Sequence, residues 1–317
     1  MFCSTIIPTI GRETLARTVE SVLNQNFPAD RFEIIVVNDS GKPLREEIWQ
    51  MSDQVKILST NREERSIARN FGAEQAKGKF LHFLDDDDWL LPGALQAFYD
   101  LASRSSAYWL YGNTQLVDRT GRELIQLEHE IHGNCFTQVM AGEWIPLQSS
   151  LILAEVFSEV SGFSPLLSGP EDIDLCRRIA LQANFDFTPS LVACVVMGEE
   201  SSTTNYQESI YSARSSRETI LDERGVFTRL RESAPRSDLS GRVARIYLTS
   251  AFWNVQNKLF MKALSRMGYA FIAIMSSVKF IFQRTFWQAI FTPYQSDTFV
   301  RGFQQAGKPV TSRKVRA

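Results

Sequence analysis

Residues 85–88 are four consecutive aspartates, closing the apolar run FLHFL (80–84) and followed by Trp89 and Pro92. Carboxylates at that spacing repel one another, and burial beside low-dielectric protein adds a desolvation cost. Such a cluster therefore needs a cation close by or open water. Neighbours along an extended chain point to opposite sides, so Asp85 and Asp87 can share one face and Asp86 and Asp88 the other. The chemistry this suits is a hard divalent cation, Mn²⁺ or Mg²⁺. One or two carboxylates would hold it and a substrate's phosphate oxygens would complete its shell. A cation there screens the charge developing on a departing diphosphate. The plainer alternative is an acidic loop capping the next helix. A calcium EF-hand does not fit, because it needs alternate ligands over twelve residues around a central glycine.

Three further stretches could do chemistry. Asp39 follows VVN at the end of a second apolar run, where a carboxylate can accept two hydroxyl or imide hydrogen bonds from a nucleoside; an Asx-turn within NDSG is the alternative. The segment RSIARN places Arg65 and Arg69 one helical turn apart, and arginine forks suit diphosphate oxygens. Two arginines on a solvated helix face would look the same. Asn70 and Gly72, next to them, read as helix–sheet packing. The stretch Ser168-Gly-Pro-Glu-Asp opens a helix. Ser168 and Glu171 have capping-box spacing with Pro170 in the first turn, which explains Glu171 but not Asp172 as well. Helix N-termini favour an anion, so Asp172 suits a weak general base.

These residues need elements to position them. CSTII (3–7), EIIVV (33–37), VKIL (55–58) and FLHFL (80–84) read as strands. Between them Leu15, Val19, Val22 and Leu23 recur at helical spacing, as do Ile67, Phe71 and Ala76, and Pro92 opens a helix carrying Leu95, Phe98 and Tyr99. Alternation of this kind predicts a mainly parallel sheet with helices on both faces. Ligands bind such sheets at the carboxyl ends of the strands. The loops PTIGR (8–12), NDSG (38–41) and DDDD (85–88) would then open on one edge, and Arg12 joins the candidates there. Further along, AYWLYGN (107–113) and QLVDRTGRELIQ (115–126) read as two strands, the second folded about a turn at Arg119–Gly121. SSLIL (149–153) and LVACVVM (191–197) read as strands. GPEDIDLCRRIALQA (169–183) reads as a helix with Ile173, Cys176, Ile179 and Ala180 on one face. RESAPRSDLSGR (231–242) is polar, with Pro and Gly, and is the best boundary.

The bulk properties constrain the class. The chain has 317 residues, 44% hydrophobic and 22% charged, the profile of a globular protein. A formal charge of -2 gives no reason to expect nucleic acid as a partner. The four cysteines, Cys3, Cys135, Cys176 and Cys194, form no CxxC pair and suit reduced, buried thiols. MFCSTIIPTIGR has neither a basic leader nor a small-residue cleavage site, so no signal peptide is expected. The expected location is cytoplasmic, extending to a peripheral position on the inner face of the plasma membrane.

The order STIIPTIGR, EIIVVNDSG, RSIARNFGAEQAKGKFLHFLDDDDWLLPG and SGFSPLLSGPEDIDLCRRI resembles the pattern of glycosyltransferase family 2 on the GT-A fold, over about residues 3–205. The resemblance implies an α/β architecture: a Rossmann-like, mainly parallel central sheet covered on both faces, plus a C-terminal helical extension. It also implies inverting transfer of a sugar from a nucleoside-diphosphate donor, UDP-linked, to a saccharide or lipid-linked acceptor, as in polysaccharide or glycolipid biosynthesis. Carried residue by residue, it puts Pro8 and Thr9 near the base, Asp39 on uracil or ribose, and Asp86 on the ribose side. Arg12, Arg65 and Arg69 join the nucleotide-sugar set. Asp85 and Asp87 become the D-x-D element, with Asp87 the first metal ligand, and Asp172 the base that deprotonates the acceptor. Glu171 and Trp144, the latter in GEWIPLQ (142–148), fall on the acceptor side; Trp144 reads equally as a sugar platform or a buried side chain.

One departure concerns the metal. Family members often carry a histidine after the late strand, but VVMGEESSTTN (195–205) has none, leaving Glu199, Glu200 or an extra water to fill that place. His82 sits mid-strand and reads as core; His129 and His132 are poor substitutes. The expected division is a catalytic unit over 1–230, a helical extension over 241–291 and a basic tail over 292–317. YAFIAIMSSVKFIFQRTFWQAIF (269–291) gathers Phe271, Ile274, Met275, Val278, Ile281, Phe282 and Ala289 on one helical stripe, interrupted by Lys279 and Arg284. That suits either an in-plane interfacial helix aided by the basic tail, or a helix packed on protein. Two other functions compete. A sugar-nucleotide nucleotidyltransferase would want a glycine-rich basic loop after the first strand, where PTIGRET has one glycine. A non-catalytic scaffold in a polysaccharide assembly complex would not need Asp85, Asp87 and Asp172 intact.

Overall fold

The computed structural model describes residues 1–61, 64–128, 130–167, 169–197, 206–293 and 315–316. Four strands run parallel: β1 (Cys3–Thr9), β2 (Phe32–Asn38), β3 (Val55–Ser59) and β4 (Phe80–Phe83), in the spatial order β3-β2-β1-β4. Period-two alternation decides which core each side chain enters. Ile34 and Val36 of β2 face one hydrophobic cluster, and Ile35 and Val37 face the other. The first cluster takes Leu15, Val19 and Val22 of α1 (Leu15–Leu23), and Leu95, Phe98 and Leu101 of α3 (Ala94–Arg104). The opposite face takes Ala68 of α2 (Arg65–Glu74) and Leu175, Cys176 and Ile179 of α6 (Glu171–Gln182). A sheet covered on both sides explains why every residue of β1 and β2 is buried and why Ile34–Val37 is a continuous apolar run rather than an alternating one.

Beyond β4 the sheet becomes mixed. β8 (Ser150–Leu153) inserts antiparallel between β4 and β6 (Trp109–Asp118). β7 (Glu123–Glu128) pairs with β6, and so does β9 (Phe185–Met197), which also pairs with the two-residue β5 (Trp89–Leu90). The two strands expected over 107–113 and 115–126 are instead one continuous ten-residue β6, followed by β7. Its mismatch with β9 is absorbed by register shifts around Asn113 rather than by a break. The turn starts at Asp118, whose carboxylate accepts the Thr120 and Arg122 N–H groups at 2.9 and 3.1 Å. Ala76 lies past the end of α2. Gly72, within α2, touches the sheet so closely that a Cβ there would meet Ile6 Cγ2 at 2.6 Å. Val315–Arg316 forms β10, beside β7.

The remaining helices are α4 (Phe136–Ala141), α5 (Ala154–Glu159), α7 (Tyr206–Leu221), α8 (Val226–Glu232), α9 (Ser237–Gln256), α10 (Phe260–Ser276) and α11 (Arg284–Phe291). Val243, Ala244, Ile246 and Tyr247 of α9 and Ala270 and Ala273 of α10 belong to the same cluster as the second sheet face. The single stripe expected over 269–291 is overturned. The helix begins at Phe260, ends at Ser276 and restarts at Arg284. Ser277 Oγ donates to the Ala273 carbonyl at 2.7 Å, and Phe280 N to the Ser277 carbonyl at 2.7 Å, closing a tight turn that divides the run. No helix among the described residues is long and apolar enough to cross a membrane.

Candidate active site

The carboxyl ends of β1, β2 and β4 meet on one edge, as the loop positions require. Pro8 is buried inside β1 opposite Val37, and Thr9 ends that strand. Thr9 Oγ1 donates to Asp86 Oδ2 at 2.6 Å and accepts from Gly11 N at 2.9 Å. Arg12 Nη1 donates to Asp86 Oδ1 at 2.8 Å and to Asp87 Oδ2 at 3.1 Å. The β2 end is tied in by Asp39 N, which donates to the Thr9 carbonyl at 2.8 Å. The Asp39 carboxylate accepts from the Thr60 hydroxyl and from the backbone N–H of Glu64, a residue that in turn caps α2. Asp39 therefore bonds to the next strand's loop; the Asx-turn belongs to Asn38, whose Oδ1 accepts from Ser40 N at 3.1 Å.

A second group joins this edge to α6. Arg69 is buried, not on a solvated face: Nη1 donates to Glu171 Oε1 at 3.0 Å and Nη2 to Asp85 Oδ1. Arg65 donates from Nη2 to Glu171 Oε2 at 3.0 Å. Gln148 Nε2 donates to the other oxygen of Asp85 at 3.0 Å. Glu171 spends its carboxylate on these arginines; the Ser168 half of the expected capping box lies outside the described residues, and Pro170, at the N-cap, offers no side-chain bond. Asp172, half-buried in the first turn, accepts from Ile173 N at 2.7 Å. Asn70 bridges both backbone groups of Phe163, at 2.8 and 2.9 Å. Trp144 is partly buried against Leu116, Ile125, Leu127 and Val195.

The four aspartates have four different environments. Burial would raise Asp85, but the Arg69 charge and hydrogen bond outweigh it and hold the carboxyl below its ordinary range. Burial raises Asp86 despite Thr9 and Arg12. Asp87 is raised by burial and then by the Asp85 charge. Asp88 is raised well above the carboxylate range by burial, with Asp85 and Asp87 adding to it; its Oδ1 accepts from Val196 N at 2.7 Å. Asp87 and Asp85 reach solvent, their side chains 37% and 29% exposed against 5% for Asp86. The Asp87 backbone is pinned by Arg17, which donates to the Asp87 carbonyl at 2.7 Å while lying over the Trp89 ring.

An all-oxygen donor set fits Mg²⁺ or Mn²⁺ chemically. Asp87 and Asp85 are the residues that could hold one, with Arg12 giving up its bond to Asp87. Among the described residues no three Asp, Glu, His or Cys side chains converge to enclose a metal by themselves, so substrate oxygens or water would have to complete the shell. Glu199 and Glu200 lie outside the described residues, as do Ser168, His129 and the tail's Arg301, Lys308, Arg313 and Lys314. His82 is core: burial holds it down at about 4, Nε2 meets the Gln148 carbonyl at 2.9 Å and Nδ1 meets Thr5 Oγ1 at 3.2 Å. All four cysteines are buried and free. Sequence reasoning did not find Gln148, Arg17 or the capping Glu64. Gln148 carried no signal beyond its place in GEWIPLQ, and glutamate is not among the residue types that ordinarily cap a helix, so Glu64 carried none either.

Comparison with known proteins bears on the family and the fold. Residues 4–157 match the family described as Glycosyl transferase family 2. The chain is 34% identical over 125 residues to the GalNAc(5)-diNAcBac-PP-undecaprenol beta-1,3-glucosyltransferase of Campylobacter jejuni, a match covering 37% of this chain and 39% of that enzyme. It is 32% identical over 115 residues to the poly(ribitol-phosphate) beta-N-acetylglucosaminyltransferase TarP of Staphylococcus aureus, covering 34% of this chain and 35% of that one. These matches span well under half of each relative. Across almost the whole chain the fold is similar to S. aureus TarS 1–349 solved with UDP-GlcNAc: TM-score 0.60 at 15% identity, covering 95% of this chain and 92% of that one. The family match identifies a glycosyltransferase family 2 domain over residues 4–157, just under half of the chain, and the structural similarity gives its GT-A fold, followed by a helical extension.

Proposed function

We propose that this protein is an inverting glycosyltransferase that moves a sugar from a UDP-linked donor to an acceptor hydroxyl in glycolipid or cell-surface polysaccharide synthesis. The observation that carries the reading is the convergence of Asp39, the Thr9–Asp86–Arg12 group and outward-facing Asp87 on one sheet edge, with Arg69 and Glu171 linking that edge to the turn that holds Asp172. Asp39 and Asp86 would take the nucleoside, and Arg12 the diphosphate as it releases the aspartates. A Mn²⁺ or Mg²⁺ ion held at Asp87 and Asp85 would supply charge screening for the leaving diphosphate. The Asp172 carboxylate accepts the proton of the acceptor hydroxyl as that oxygen bonds to the anomeric carbon. The sugar–phosphate bond breaks on the opposite side, its electron pair leaving with the diphosphate, and the anomeric configuration inverts. The UDP-GlcNAc complex of the similar structure supports a UDP donor, and the undecaprenol-linked substrate named for the Campylobacter relative supports a lipid-carried acceptor at a membrane surface.

Calorimetric titration with UDP, GDP and dTDP, with and without Mn²⁺, of wild type and Asp87→Ala tests the donor half. The expected result is UDP binding that strengthens with Mn²⁺ and loses that enhancement in the variant. Absence of nucleotide binding by a folded protein in every condition would overturn the transferase and leave the scaffold; release of pyrophosphate from a nucleoside triphosphate and sugar phosphate would favour the nucleotidyltransferase.

A further inference from the structure

The helix α10 is packed with its polarity inverted. Its inward positions, Ala263, Arg266, Ala270 and Ala273, are small or charged, and the Arg266 guanidinium is buried against the Leu221 carbonyl and Asp222. Its outward positions are large and apolar: Phe260, Leu264, Met267, Phe271 and Met275 follow helical spacing along one stripe. Val278 and Phe282 continue this ridge past the helix end. Exposure is 80% at Met261, 66% at Leu264, 64% at Phe271 and 89% at Phe282. Isolated surface apolar residues need no explanation, but a continuous ridge about 25 Å long marks an interaction site.

Charge selects the occupant. From Leu239 to Ser296 the sequence contains seven Lys or Arg residues and no Asp or Glu, in a chain whose net charge is -2. Lys258 stands exposed just before the helix, and Lys279 and Arg284 stand exposed around Phe282. A cavity of about 210 Å³ at the end of the ridge is lined by Arg231, Lys279 and three serines together with five apolar residues. The ridge itself carries no carboxylate, and Asp222, exposed beside α10, is paired with Lys262 and Arg266, so an apolar ridge flanked by exposed Lys and Arg matches the interface of an anionic bilayer. Trp287, half exposed on α11, suits the headgroup level.

We infer that the outer face of α10, from Phe260 through Phe282, lies in the plane of an anionic lipid surface, with Lys258, Lys279 and Arg284 at the headgroups. The helix lies on the membrane and does not cross it. This inference does not rest on the transferase reading, because vesicle binding involves neither donor nor acceptor.

Flotation of the full chain with phosphatidylglycerol-containing vesicles and with pure phosphatidylcholine vesicles tests it. Binding is expected with the anionic vesicles and to weaken with salt. Phe271→Ser with Met275→Ser removes apolar area and no charge, and is expected to lower partition at least tenfold. Lys279→Gln with Arg284→Gln is expected to lower it roughly thirtyfold on anionic vesicles. All four positions are exposed, so circular dichroism should report unchanged folds. Absence of flotation with either vesicle would overturn the inference, as would equal binding by the Phe271/Met275 variant. A wild-type dimer in sedimentation velocity that the same apolar variant dissociates, without vesicle binding, would assign the ridge to a second copy instead.

Discussion

Arg69 Nη1 and Glu171 Oε1 lie 3.0 Å apart, both side chains almost wholly buried, although 102 residues separate them in the chain. The pair ties the helix after β3 to the helix that carries Asp172, and Arg69 at the same time holds Asp85. Removing one member of a buried pair leaves a charge without compensation. Arg69→Met is therefore expected to cost about 3–5 kcal/mol of stability. Urea unfolding of Arg69→Met, Glu171→Gln and the double variant should show a coupling energy of about 1–3 kcal/mol; strictly additive effects would mean the contact contributes nothing to stability.

Asp85 and Asp88 should respond to pH in opposite directions. The folded state holds Asp85 below its unfolded value, so Asp85 contributes stability at neutral pH that is lost as pH falls through the folded value. Asp88 is raised, so its ionisation opposes folding at neutral pH, and that opposition disappears on acidification. Asp88→Asn is expected to be more stable than wild type near neutral pH, with the gap closing as carboxylates protonate. Asp85→Asn is expected to be less stable, its gap closing in the same direction. Denaturation midpoints from about pH 8 down to about pH 2 would check both signs, the Asp85 gap closing only below about pH 4.

Asp39 carries nucleoside recognition in the proposed function while also accepting from Thr60 and the Glu64 N–H. Asn keeps one acceptor and loses the charge. Asp39→Asn is expected to weaken UDP binding by about tenfold to a hundredfold, the loss of a charge-assisted hydrogen bond. Calorimetry of the variant beside wild type would measure it, and unchanged affinity would remove Asp39 from the nucleotide site.

Asp172→Asn should separate catalysis from binding. The amide oxygen can still accept from Ile173 N, so the α6 turn should persist. The expected outcome is a fall in kcat of about 10²–10⁴ with donor affinity retained. Loss of donor affinity with little change in kcat would move the base elsewhere.

Gly72 tests how closely α2 must approach the sheet. A methyl group there would meet Ile6 Cγ2 at 2.6 Å and Val37 Cγ2 at 3.0 Å, both in well-packed strands. Gly72→Ala is expected to cost about 1–3 kcal/mol through overpacking, read as a lowered unfolding midpoint.

The sequence by itself determined β1–β4, α1, α2, α3 and α6, because their apolar residues repeat at the period of one conformation and their ends carry turn or cap chemistry. It also determined that Thr9, Asp39 and the four aspartates share an edge, since parallel strands joined by helices put every such loop on the same side. The core role of His82 and the packing role of Gly72 were legible from their places within a strand and on a helix. What only tertiary structure decided was pairing across distance. Glu171 has the spacing of a local cap, and its carboxylate meets two charged partners that arrive from residues 65 and 69, which local spacing does not announce. The length of β6 was settled by β9, whose irregular register absorbs the interruption that local sequence suggests. The apolar run of 269–291 divided where the Ser277 bonds close a turn, and Ala263, Ala270 and Ala273 are small enough for close approach to the body, which turns the large side chains outward. Periodicity reports that a helix has an apolar face; whether that face points into the protein or away from it depends on what the neighbouring elements leave room for.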